Sequence, residues 1–530
     1  MRIRESTLTR IPVHLLLVLC LFLLTIIPPA TQSVGRILPV DPALRALLSD
    51  ADGSAFFSVI VQKAGPGSEA EALVESLGGQ VLRTWTIIPA FLAELSAQSV
   101  EKLAASNLVR WISWNSPVLK QDSSKPELAV NSLASVYNGT IGATTAWNAG
   151  FKGSGIGVAV VDSGITPKPD LQASANTWYT RSRILANVTF GAALQSLSSS
   201  VNTATSDQFG HGTHIAGIIG SNGASSSGSY KGVAPEVNLI NLRVADLNGR
   251  AYESDMVDAL QWVYNNKQTH NIRVINISLN SATPQSYHTS PLNAALEILW
   301  FNGVVVVVSA GNNGGAPATG IVPGIMYPPA NDPFVITVGA SDDKGTTSTW
   351  DDIVTPFSAY GATEEGFQKP ELVAPGAHII NLLASTDCTI ALQHPEALVS
   401  SFLRLSGTSM SAGVVSGAVA LLLQAHPEMN PDQVKWALMN SATPLRQSGA
   451  GAGILNVWSA INLTTWGTAN TGITASKLLW TGTVPINWSS VNWGSVNWGS
   501  VNWGSVNWGS VNWGSVNWGS VNWGSVAWGY

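Results

Sequence analysis

Three short stretches carry residue types that together could perform nucleophilic chemistry: Val158-Ala-Val-Val-Asp162-Ser-Gly164, Gly210-His211-Gly-Thr-His214 and Gly407-Thr-Ser409-Met-Ser411. They run in the order Asp, His, Ser, 49 and 198 positions apart. A serine hydroxyl is a poor nucleophile near neutral pH and needs an adjacent base to take its proton. Imidazole, with an unperturbed pKa of about 6.5, can accept that proton and give it back. A carboxylate fixes the imidazole tautomer and stabilises the imidazolium that forms. Singly, each stretch has a plainer reading: a turn or cap residue after a strand, a loop, and a helix start. Jointly they point to acyl transfer.

The surrounding sequence supplies elements able to position these groups. Gly155 to Val161 reads as a buried parallel strand, which places Asp162 at its carboxyl end, where open α/β sheets hold their sites. His211 opens a small, apolar stretch suited to a helix packed closely on the sheet. Ser409 lies just before the apolar run Val414 to Ala425, read as a buried helix, so unpaired backbone N–H groups stand beside it. His214, three residues from His211, is assigned a structural role. Further strands are expected at Leu239–Val244, Val274–Leu279 and Val304–Val308.

These motifs, with Gly232-Val-Ala-Pro235, Ser309-Ala-Gly-Asn312, Tyr327-Pro-Pro-Ala330 and Lys369-Pro-Glu-Leu-Val-Ala-Pro-Gly376, resemble the subtilisin-like serine proteases (subtilases, peptidase family S8), whose chain order is also Asp, His, Ser. The resemblance implies an α/β, doubly wound, mostly parallel sheet over residues 135–463. It also implies a serine endopeptidase working through an acyl-enzyme on polypeptide substrates. Ser409 would be the nucleophile, His211 the base, Asp162 its orienting acid, and Asn312 an amide donor to the oxyanion. Ser278, Leu279, Ser309, Ala310 and Gly311 would line the substrate. No cofactor is needed for this chemistry; structural calcium is left open. Two positions depart from the family pattern. Asn280 stands where a glycine usually lets substrate backbone approach, and Gly413 where a proline usually starts the helix. The second is expected to loosen the helix start by about 1 kcal/mol.

Residues 34–125 read as a separate unit. Strands at Ser54–Gln62, Gln80–Ile88, Ala90–Leu95 and Val109–Ser113 alternate with helices at Glu69–Leu77 and Ala97–Ala105, a β-α-β-β-α-β, ferredoxin-like order. The segment resembles the I9-type inhibitory prosegment of subtilases, which implies a self-processing zymogen whose own prosegment is a partner. An ordinary interaction domain has the same pattern. The polar run Gln121 to Pro126 is where a processing cut is expected.

Arg2, Arg4 and Arg10 precede an apolar run from Ile11 to Ile27 and a small-residue exit, so residues 1–33 read as a secretory signal peptide, with an uncleaved anchor helix as the alternative. The expected location is extracellular. Of the two cysteines, Cys20 lies in that segment, which leaves Cys388 with no intramolecular partner. The 530 residues carry only 11% charged side chains and a formal charge of −6, which gives no reason to propose nucleic acid as a partner. After a linker at 464–485, residues 486–530 are nine pentads, seven of them Val-Asn-Trp-Gly-Ser, holding 9 of the 21 Trp. Period five flips side chains between faces of a continuous strand, so repeated turns fit better. A cell-surface or polysaccharide adhesion module and a low-complexity tail remain open readings. So do, for the whole chain, an esterase on the same triad and a catalytically silent domain that presents the tail.

Overall fold

The chain is described from a computed structural model, which defines residues 38–119, 135–173, 181–191, 206–314 and 327–479. The signal segment, the expected cut at 121–126 and the repeat tail lie outside the described residues. Contacts separate Met1–Pro39 from a second unit, Val40–Tyr530, to which both main sheets belong.

The first layer of that unit is a four-stranded antiparallel sheet in the order Gln80–Thr84, Ala90–Ser96, Phe56–Lys63, Val109–Trp114. Helices Glu69–Ser76 and Ala97–Ala104 connect the strands. The second of these starts where Ser96 accepts a bond from the Ser99 N–H, a side-chain cap. Val59, Val61, Phe91, Ala93, Leu95, Val100 and Leu103 close its core. A further helix at Pro42–Asp50, capped by Asp41 with proline at its first position, was not legible in the pattern. The second strand also ends at Thr84, short of Ile88: Trp85 and Ile87 leave the sheet and bury themselves in the larger core.

The larger layer is an eight-stranded sheet. From Ile353–Val354 the order runs through Ile336–Asp342, Val305–Ser309, Ile272–Ile277, Gly157–Asp162 and Asn238–Arg243 to Ile184–Thr189, with Leu372–Pro375 also paired to Ile336–Asp342. All pairings are parallel except that of Ile353–Val354. The central strands are buried along their whole length, which is why they read as unbroken apolar runs. Helices His211–Gly220 and Thr408–Ala425 pack on each other and on the sheet, as do Glu253–Asn266 and Pro291–Phe301. Thr408–Ala425 is long and apolar enough to cross a membrane, but 89% of it is buried, as befits a core helix.

Gly413 acquires a different meaning here. A Cβ at that position would sit 3.2 Å from Ile218 Cγ2, so the glycine lets the two helices meet closely. It serves packing in the second turn of the Thr408–Ala425 helix.

Candidate active site

Asp162 ends the Gly157–Asp162 strand, 2% exposed, and both carboxylate oxygens lie on the His211 ring: Nδ1 is 2.8 Å from Oδ1 and 2.9 Å from Oδ2. Acceptance by the carboxylate fixes the proton on Nδ1 and leaves Nε2 as the basic nitrogen. That Nε2 is buried and has no hydrogen-bond partner among the described residues. Close approach of helix to strand needs Gly212, where a Cβ would meet Gly164 O at 2.2 Å. Gly210, the residue before the helix, sits at φ 101°, a left-handed conformation that favours glycine.

Asp207 is a residue that motif reasoning passed over. Its Oδ1 accepts from Gly210 N at 2.7 Å and Ser163 Oγ at 2.8 Å, and its Oδ2 accepts from the Thr213 N and Oγ1, both at 2.8 Å. It thus caps the His211 helix and ties it to the strand that carries Asp162. Burial pushes its carboxyl pKa up, against those donors. The available signal was an acid three residues before Gly210, ahead of a helix that lacks its own cap. His214 points elsewhere: its Nε2 lies 3.2 Å from Ile379 O and 3.0 Å from Leu403 O, a tie between helix and a small flanking sheet.

Ser409 is the second residue of the Thr408–Ala425 helix, so its N–H belongs to the first turn, which lacks intrahelical acceptors. Its Oγ donates to Ser278 O at 3.5 Å, and the Ser278 Oγ donates back to Ser409 O at 3.4 Å. In this rotamer the hydroxyl is not bonded to His211. Asn312 lies on the loop after the Val305–Ser309 strand, and its Oδ1 accepts from Thr408 N and Thr408 Oγ1, both at 3.0 Å. This pins the amide beside Gly407, whose added Cβ would lie 3.3 Å from Asn312 Nδ2. Gly311 N donates to the same Thr408 hydroxyl at 3.1 Å. Ser309 and Ala310 are buried at the strand end, and Leu279 is buried beside Ser278. Asn280 turns its Nδ2 to Ser309 O at 3.4 Å, which links the two walls.

A short strand that sequence reasoning missed lies along the Asn280 segment. Pro117–Leu119, continuing from the four-stranded sheet, pairs antiparallel with Arg250–Tyr252 on one side and Asn280–Ser281 on the other. Three residues without period or turn signals fall below what patterning can detect. The same unit also grips the Glu253–Asn266 helix. Arg83 Nη1 reaches Asp255 Oδ1 at 3.0 Å and Asp258 Oδ2 at 2.6 Å, Trp85 Nε1 donates to Asp258 Oδ1 at 2.6 Å, and Gln261 Oε1 accepts from Thr86 N and Ile87 N at 2.7 Å each.

A parallel sheet flanked by helices, with Asp162 at a strand end and His211 and Ser409 at two helix starts, is the layout of a serine hydrolase of Asp, His, Ser chain order. The family model "Subtilase family" matches residues 153–460, and the model "Pentapeptide repeats (8 copies)" matches 486–529. The chain belongs to the subtilase family. It is 37% identical to the serine protease AprX of Bacillus subtilis over 319 residues, spanning 58% of this chain and 66% of AprX. It is 29% identical to the alkaline protease of Alkalihalobacillus alcalophilus over 72% of this chain and 81% of that protein. Among solved structures, fervidolysin from Fervidobacterium pennivorans superposes with a TM-score of 0.57 at 23% identity, covering 80% of this chain and 63% of that one, a likeness of fold.

Proposed function

We propose that the protein is an exported, self-processing serine endopeptidase whose residues 34–125 act as an inhibitory prosegment. The observation that carries this reading is the Pro117–Leu119 strand, seated between Arg250–Tyr252 and Asn280–Ser281 as an extended polypeptide substrate would be. In the reaction, Ser409 Oγ turns from Ser278 O toward His211 Nε2, gives up its proton there and attacks the substrate carbonyl carbon. The oxyanion is met by the Asn312 amide and the Ser409 backbone N–H. His211 returns the proton to the leaving amine, and water then hydrolyses the acyl-enzyme with the same base. Asp162 holds the ring throughout. Every step uses side chains and backbone of this chain. Among the described residues no group of three His, Cys, Asp or Glu side chains is arranged to hold a metal.

A substrate strand lying as Pro117–Leu119 does has its third residue opposite Asn280. With antiparallel pairing, the residue two further on comes level with Ser278, whose carbonyl touches the Ser409 hydroxyl. The cut in this chain is therefore proposed after Gln121. N-terminal sequencing of the mature protein tests it: a start at Asp122 and hydrolysis of unfolded casein support the reading. A Ser409→Ala chain that still processes itself, free of other proteases, contradicts it. The basic, apolar leader supports export, and the charge-free Trp repeats support attachment to a cell surface or polysaccharide.

A further inference from the structure

Glu253 begins the Glu253–Asn266 helix and is fully buried. Its Oε1 accepts from Ser281 Oγ at 2.7 Å and from Gln285 Nε2 at 3.0 Å, while its Oε2 is buried with no hydrogen-bond partner among the described residues. Its backbone N–H donates to Ser116 O at 3.0 Å, and the Ser116 hydroxyl lies 3.3 Å from Ser281 Oγ and 2.7 Å from Thr283 Oγ1. The segment leading into the cleft strand therefore closes over this carboxyl.

Among the described residues no hydrogen bond or ion pair joins a cation to Glu253. From the cleft wall its carboxyl meets Ser281 and Gln285, and from the docked segment Ser116 accepts its backbone N–H while Asn115 accepts the next one; all are neutral. The charged group whose field reaches it is Asp41, another acid. On its own helix Asp255 and Asp258 are engaged by Arg83. An ionised carboxylate with one oxygen unpaired and buried is too costly to keep.

We propose that Glu253 is a pH-sensitive seat for the prosegment, neutral beneath the docked strand and ionised once that strand leaves and water enters. This rests on the prosegment reading above. Burial pushes the covered carboxyl up from 4.5 to about 8. The docked state thus binds a proton that the open state releases. Docking is strongest below the ordinary carboxyl range and weakens as pH rises, until it levels off above about 8.

The test uses the full chain, processed at pH 5 and diluted in series into buffers from pH 5 to 9. Hydrolysis of a short chromogenic peptide, normalised to its final rate at each pH, reports release. The apparent dissociation constant should rise up to about tenfold per pH unit between about 5 and 8, and Glu253→Gln should flatten that slope. An unchanged slope in Glu253→Gln overturns the proposal; a slope abolished by Asp41→Asn instead assigns the proton to Asp41 and equally overturns it. A measurement that needs neither activity nor a change at Glu253 is amide exchange at Val118 and Leu119 in the unprocessed Ser409→Ala chain. Corrected for intrinsic rates, protection should fall over the same pH range; constant protection refutes the seat. Failure of the peptide to be cleaved at any pH would count against the peptidase reading alone.

Discussion

Arg83→Ala should weaken the hold of residues 34–125 on the catalytic layer. The guanidinium bridges two acids of one helix turn, Asp255 at 3.0 Å and Asp258 at 2.6 Å. Their side chains are 1% and 21% exposed, and that of Arg83 is 31% exposed. Removing one member of a buried interfacial charge pair costs about 2–5 kcal/mol, much of it from the charges left unpaired. Here water reaches the arginine, so the figure is discounted to about 1–3 kcal/mol, which corresponds to roughly 5- to 150-fold in dissociation constant. Asp258 would be left beside Asp255, and burial already raises its pKa. The Trp85 N–H and the Gln261 contacts would persist, so docking should weaken without disappearing. The assay dilutes processed protein at pH 7 and follows recovery of peptide hydrolysis, giving the concentration at which half the activity is released. Arg83→Lys should fall between the two because it keeps the charge but loses the rigid fork. A half-release concentration for Arg83→Ala within twofold of the wild-type value would refute the assignment of this bridge to docking.

Asn312→Ala should lower kcat by about 10²–10³ with KM little changed, since the amide acts on charge that develops after binding; steady-state kinetics on a peptide substrate checks the split. Glu371→Leu should destabilise the catalytic layer by about 3–5 kcal/mol, because Lys369 and Lys435, 2.6 and 2.8 Å from its Oε1 and themselves buried, would lose their counter-charge. Urea unfolding measures that loss. Truncation after Leu479 should leave peptide turnover within about twofold, roughly 0.4 kcal/mol in barrier, while binding to insoluble polysaccharide falls; unchanged binding would favour the low-complexity reading of the repeats.

Much of the sheet was legible because its strands are buried on both faces. Five consecutive valines from Val304 to Val308 and the Val158–Val161 run declare themselves without context. The Asp162–His211 contact, made by residues 49 positions apart, was legible only as a motif, since spacing alone gives no distance. What escaped was tertiary in origin. The Gln80–Thr84 strand stops early because Trp85 and Ile87 find a second core, and local propensity cannot register a partner surface. Pro117–Leu119 is strand only because two walls hold it. Asp207 belongs to none of the motifs, and its four donors come from Ser163, Gly210 and Thr213, brought together by folding. The packing role of Gly413 depends on Ile218 from another helix, which no local pattern shows.

The most direct measurement is covalent labelling of the nucleophile in the processed protein with a fluorophosphonate, which phosphonylates an activated serine Oγ and releases fluoride. The modified peptide, mapped by mass spectrometry, should contain Ser409. Labelling should vanish in Ser409→Ala and His211→Ala, and should slow by orders of magnitude in Asp162→Asn, where the ring loses the acceptor that fixes its tautomer. Equal labelling of Ser409→Ala, or a label on any other serine of the folded enzyme, would contradict the assignment of Ser409, His211 and Asp162 as one catalytic unit.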